Sequence, residues 1–148
     1  DVEWAGHPNW FFRISKFTIP YLKGKYFIEK TLSSDLKEIP TDLENYVLKP
    51  LFSFSGSGVI FNVKKGDIES VFDKELYILQ KKVKYIPIVQ SPDGKVKAEV
   101  RILCTWKKDD KTPTLLCNLV RLSRGEMIGV KFNKDKDWVG GTLGLFER

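Results

Sequence analysis

Apolar positions along this chain recur mostly at every second residue, a period that predicts strands more often than helices. The clearest case is 95–106, where Val96, Ala98, Val100 and Ile102 alternate with Lys97, Glu99 and Arg101, giving one apolar and one charged face. The turn signature Ser91-Pro92-Asp93-Gly94 precedes it; a polar loop over 107–113 and a further strand over 114–122 follow. Strands are also predicted over 26–28, 46–48, 59–63, 76–83 and 127–132. The strand at 76–83 turns polar at Gln80, and 85–89 extends it past Pro87, which places this part at an edge or a bend. Helical spacing is confined to shorter stretches. Trp10, Phe11, Ile14 and Phe17 predict a helix over 10–16, with Trp4 and Trp10 packing on the body. Ser33 or Ser34 opens one helical turn that Pro40 stops. Ile68, Val71 and Phe72 predict a helix over 64–74, with Asp67 and Glu69 in its first half, where carboxylates suit the helix dipole. Many strands in an antiparallel-looking order, with few helices, predict an α+β fold.

Between the strands at 46–48 and 59–63 lies a serine and glycine loop. Gly56 and Gly58 supply conformations that a residue with a Cβ adopts only under strain, and such a loop can wrap its N–H groups around an anion. Lys49 stands just upstream in an otherwise apolar strand, where a buried ammonium needs a negative partner or a stem long enough to reach water. A phosphate would satisfy it. A plain hairpin with a loose tip and a snorkelling lysine is the alternative.

A chain of 148 residues makes one domain, or one domain of two lobes, that buries roughly two-thirds of its unfolded surface. Cys104 and Cys117 sit in apolar runs without the spacing of metal ligands, which predicts reduced, packed thiols in a cytoplasmic protein. His7, the only histidine, precedes Pro8 in a turn and is expected to be structural or exposed rather than catalytic. No apolar run has membrane length and no signal peptide is present, so no membrane partner is expected. The chain starts at Asp1 without an initiator Met and is expected to be a piece of a longer polypeptide. A net charge of +6 favours anionic partners, but the lysines are dispersed among acids. A nucleic-acid-binding domain that stacks bases on Trp, Phe and Tyr is therefore disfavoured, because most aromatics alternate as core residues do.

The charged face of 95–106 carries Glu99 and Arg101, and Asn118 and Arg121 on the next strand come close to them across an antiparallel pair. Arginine and asparagine beside a carboxylate make a clamp for a carboxylate or phosphate; a solvated cross-strand Glu/Arg pair is an equally good reading. The run Leu48-Lys49-Pro50, then Ser55-Gly56-Ser57-Gly58-Val59, a helix, Ile78-Leu79-Gln80-Lys81-Lys82-Val83, Glu99-Val100-Arg101 and 118–121 resembles the nucleotide-binding half of the ATP-grasp superfamily, which includes glutathione synthetase-like carboxylate-amine ligases and circularly permuted ATP-grasp proteins. The resemblance covers about 46–141. It implies an N-terminal helix and connector over 1–45, a small lobe over 46–90 and an antiparallel second lobe over 91–148, the two lobes enclosing a nucleotide cleft.

On that resemblance, Lys49 contacts the α-phosphate of ATP, and Ser53, Ser55, Gly56, Ser57 and Gly58 form the lid over the β- and γ-phosphates. Gln80, Lys81 and Val83 form the hinge along the adenine, Lys81 by its carbonyl and Val83 by its N–H. Arg101 and Arg121 hold the transferred phosphate or a carboxylate substrate, and Lys16 is the further phosphate-facing lysine. The full-length ligase would form an acylphosphate from an unidentified carboxylate for attack by an unidentified amine, with Mg²⁺ as cofactor and a preceding domain of the same polypeptide completing the site. The chain departs from the family at the metal. Leu116-Cys117-Asn118 lacks the acid of the usual Glu-x-Asn, and Glu99 with Asn118, or Asn133 with Asp135, stands in for it. By itself this piece is expected to bind nucleotide without turnover.

Overall fold

A computed structural model of the chain describes residues 7–128, Asp135, Asp137, Trp138 and 140–145, with Arg13 and Ile14 by backbone alone. The packing of Trp4, the strand over 129–132 and Asn133 lie outside the described residues. The chain divides into two compact units, Asp1–Val83 and Lys84–Arg148. The fold is α+β, with antiparallel sheets and short helices. No helix among the described residues is long and apolar enough to cross a membrane.

In the first unit, helix α1 (Trp10–Ile14) ends at Ser15, and a 3-10 segment (Lys16–Tyr21) follows. Ser15 has an extended backbone, and its hydroxyl accepts from the Phe17 N–H at 3.2 Å, so one residue closes the helix and caps the next turn. That stops the predicted helix two residues early. Strands β1 (Lys30–Leu32), β2 (Tyr46–Pro50) and β3 (Tyr77–Lys81) make an antiparallel sheet in the order β1-β3-β2. The strand predicted at 26–28 is a turn, and pairing begins at Lys30, opposite Gln80. β3 is therefore the central strand of this sheet, and the chain leaves it after Lys81, so 85–88 bends away and does not extend the strand.

The register sorts the side chains by face. Leu48, opposite Leu79, points to the core with Val63 and Ile68, and Leu36, Ile39, Leu43 and Val71 pack around them. Each such buried aliphatic contributes about 1.5–3 kcal/mol. Ile68 lies on α2 (Lys65–Glu69), where the Asp67 carboxylate accepts from the Lys64 N–H at 2.8 Å and ties down the helix start. The predicted helix over 64–74 shrinks to these five residues, and Phe72, counted with its core face, is 96% exposed. The predicted strand over 59–63 reduces to a single bridge between Ile60 and Leu48, because the chain turns repeatedly between Leu51 and Val59.

In the second unit β4 (Val89–Ser91), β5 (Gly94–Thr105), β6 (Thr114–Ser123) and β7 (Gly141–Thr142) pair antiparallel in chain order. The pattern at 95–106 places its strand correctly but not its burial. Val96 is fully buried, whereas Val100 and Ile102 are 54% and 63% exposed, because no described element covers that end of the ribbon. Cys104 and Cys117 are free thiols as expected but exposed, not packed, for the same reason. Exposure of Trp10, Phe12, Phe54 and Trp106 likewise overturns the inference that the aromatics alternate as core residues.

Candidate functional site

The face of the first sheet opposite its core carries the candidate site. Val47 stands opposite Gln80 and Lys49 opposite Ile78, so strand alternation puts all four on one face, with Lys49 and Gln80 on a diagonal. Lys49 Nζ donates to Gln80 Oε1 at 2.7 Å. Val47 and Ile78 are buried beside them, and Gln80 itself is 8% exposed. Lys16, from the 3-10 segment, donates from Nζ to the Ser53 carbonyl at 2.8 Å and to the Ser53 hydroxyl at 2.7 Å.

These two lysines lack the partner that a buried ammonium ordinarily has. Burial pushes the Lys49 pKa below the ordinary lysine value, and the positive charge of Lys16 pushes it the same way. Burial lowers Lys16 as well. Among the described residues, neither forms an ion pair with a carboxylate. Gln80 and Ser53 offer only neutral acceptors, so two positive charges share one partly desolvated place without compensation.

The loop after β2 begins at the same place. Leu51 N–H donates to the Leu76 carbonyl at 2.8 Å, and Ser57 N–H closes a turn on the Phe54 carbonyl at 2.8 Å. Ser55, Gly56 and Gly58 hold positive φ of 50°, 77° and 68°. A Cβ on Gly58 would stand 3.0 Å from Pro50 Cγ, so glycine is required there by both backbone and space. The N–H groups of Ser55, Gly56 and Gly58 have no hydrogen-bond partner among the described residues.

The Lys81 N–H donates to the Glu29 carbonyl at 3.0 Å, and the Lys82 N–H to the Asn45 carbonyl at 2.7 Å. Lys81 also pairs through its ammonium with Glu29 at 3.3 Å. Val83, where the first unit ends, is half-exposed. Gln80 serves through its side chain, as the acceptor for Lys49, a role its position in an apolar strand did not reveal.

The second unit treats its cations in the opposite way. Glu99 stands directly opposite Arg121, and its Oε1 accepts from Arg121 Nε at 2.9 Å and Nη2 at 2.6 Å, and from Arg101 Nε at 3.2 Å. Tyr85, which sequence reasoning passed over, joins this group. Burial raises its pKa, the charge of Glu99 raises it further, and Arg121 opposes them. The terminal nitrogens of Arg101 have no partner among the described residues.

Asn118 is opposite Ile102 and so lies on the other face of the ribbon from Glu99. Its amide is spent on the backbone, donating to the Gly144 carbonyl at 2.8 Å and accepting from the Gly144 N–H at 2.6 Å. Glu99 and Asn118 therefore do not converge on one ion, and the described residues contain no group of three or more His, Cys, Asp or Glu side chains able to hold a metal. Comparison with family models, with curated proteins and with solved structures finds no match, so the geometry of the site carries the functional argument.

Proposed function

We propose that the first unit binds the phosphates of a nucleotide, as the ATP-binding portion of an ATP-grasp carboxylate-amine ligase-like protein would. One observation carries this reading: Lys16 and Lys49, both partly buried and close enough for the charge of one to depress the pKa of the other, have no carboxylate among the described residues to neutralise them. A polyanion would remove the repulsion and replace neutral acceptors with charge-assisted hydrogen bonds, each worth about 1.5–3 kcal/mol. Ser53 and the unspent N–H groups of Ser55, Gly56 and Gly58 lie on the loop that starts beside these lysines, and they supply further donors of the kind phosphates take.

A magnesium-dependent ligase needs more than this. Glu99 and Asn118 do not fit a shared Mg²⁺, and Arg121 is held by Glu99. Arg101 alone of the two arginines keeps terminal donors for a carboxylate or phosphate. The arrangement therefore favours binding of nucleotide over turnover by this chain, and acylphosphate chemistry is assigned only to a longer protein that supplies the missing ligands.

Thermal melting of the chain with and without ATP tests the reading. With ATP at about a hundred times its Kd, linkage stabilises the folded state by about 2.7 kcal/mol. An upward shift of the melting temperature that Lys49→Ala abolishes is expected. No shift at saturating ATP, or an equal shift in Lys49→Ala, would refute it. Single-stranded oligonucleotide binding with a steep salt dependence would favour a nucleic-acid role in its place.

A further inference from the structure

Five aromatic rings join the N-terminal segment to the loop after β2. Phe11 stacks on Phe54 at 4.9 Å between centroids and reaches Phe52 at 5.9 Å; Phe12 meets Phe52 edge-on at 5.5 Å; Phe17 stacks on Phe52 at 5.7 Å. In the middle of this cluster Lys16 holds Ser53 by both its carbonyl and its hydroxyl. Phe52, Ser53 and Phe54 are thus gripped in succession by Phe11, Phe12, Lys16 and Phe17.

Neither side of the contact is stable alone. α1 has five residues, too few for an isolated helix. The loop carries three residues with positive φ and turns that leave little backbone hydrogen bonding. Phe12, Phe17 and Phe54 are 53%, 40% and 70% exposed, so the rings are held mainly by one another and not by the core.

We infer that residues 10–21 and 51–58 open and close as a single flap, and that Phe11, Phe52 and Phe54 are positioning residues that hold the Ser53 to Gly58 stretch near Lys49. This rests on the proposed phosphate site for its purpose. Its physical content, the coupling of two segments far apart in the chain, stands or falls independently. An anion that draws Lys16 off Ser53 loosens one fastening of the flap, and the ring stack keeps the loop in place while the lysine changes partner.

Hydrogen exchange read by mass spectrometry on the whole chain, with ATP as the probe, decides it. In the free protein, Phe54→Ala is expected to speed exchange in 10–21 and 51–58 together, with the sheet unaffected, and Phe54→Tyr to restore both. ATP is expected to slow exchange in both segments of the wild type, and Phe54→Ala to weaken ATP binding about three- to tenfold. Faster exchange confined to 51–58, or unchanged ATP affinity in Phe54→Ala, would overturn the inference. If the wild type binds no ATP, the nucleotide reading falls, and joint or separate exchange of the two segments still decides the coupling.

Discussion

The two units dispose of their positive charge in opposite ways. In the second, one carboxylate oxygen of Glu99 gathers three N–H donors from Arg101 and Arg121, and the group is nearly complete in itself. In the first, Lys49 is held by an amide and Lys16 by a hydroxyl and a carbonyl, none of which carries charge, and the two ammonium groups act on each other. A satisfied cluster contributes to stability and leaves little for a ligand to add. An unsatisfied pair costs stability in the free protein and returns it when an anion arrives. The difference separates scaffold from proposed site, although the sequence alone offers both regions as places for an anion.

Exchanging the roles gives the largest effects. Lys49→Ala is expected to weaken ATP binding by tenfold or more, about 1.4 kcal/mol per factor of ten, while leaving the free protein folded. Glu99→Ala is expected to do the reverse. It strands Arg121, whose side chain is 28% exposed, and is expected to cost about 1–3 kcal/mol in denaturant unfolding with ATP affinity unchanged. If Glu99→Ala impaired ATP binding as severely as Lys49→Ala, the contrast between the units would be false. Gly58→Ala places a Cβ against Pro50 at a positive φ and is expected to lower stability by about 1–2 kcal/mol in the same unfolding measurement.

The lysines also give a pH signature. Their folded-state pKa values lie below the ordinary 10.5, so between those depressed values and 10.5 the unfolded chain binds more protons than the folded one. Stability of the free protein is therefore expected to gain a rising contribution as pH climbs through that window, while ATP affinity falls as the lysines lose their charge. Unfolding and binding measured in parallel from about pH 8 upward would show the two trends crossing. ATP affinity flat across the range would contradict a role for lysine charge. The smallest effect belongs to Ser33, whose buried Oγ has no hydrogen-bond partner among the described residues. Ser33→Ala is expected to be neutral or stabilising by up to about 1 kcal/mol.

What the sequence made legible followed from short-range rules. Alternation placed β2, β3, β5 and β6, and glycine spacing placed the loop, since both are properties of adjacent residues. The lysine, the serines and Gln80 were singled out in advance, and the structure brings Lys49 to Gln80 and Lys16 to Ser53. Three things were not legible. β3 became central only because β1 formed over Lys30–Leu32, four residues on from the more hydrophobic 26–28. Val100 and Ile102 followed the pattern of core residues but found no covering element among the described residues. The Glu99 and Asn118 pairing failed because a residue opposite Ile102 faces away from one opposite Arg121; the odd spacing of Asn118 and Arg121 already forbids both from facing Glu99, and the register decides which of them does.

A crystal structure of the chain with bound ATP tests the account most directly. Phosphate oxygens within about 3 Å of Lys49 Nζ and Lys16 Nζ, with Gln80 or Ser53 released from one of them, is the expected result. Phosphates seated elsewhere, with both lysines still on their neutral acceptors, would contradict it.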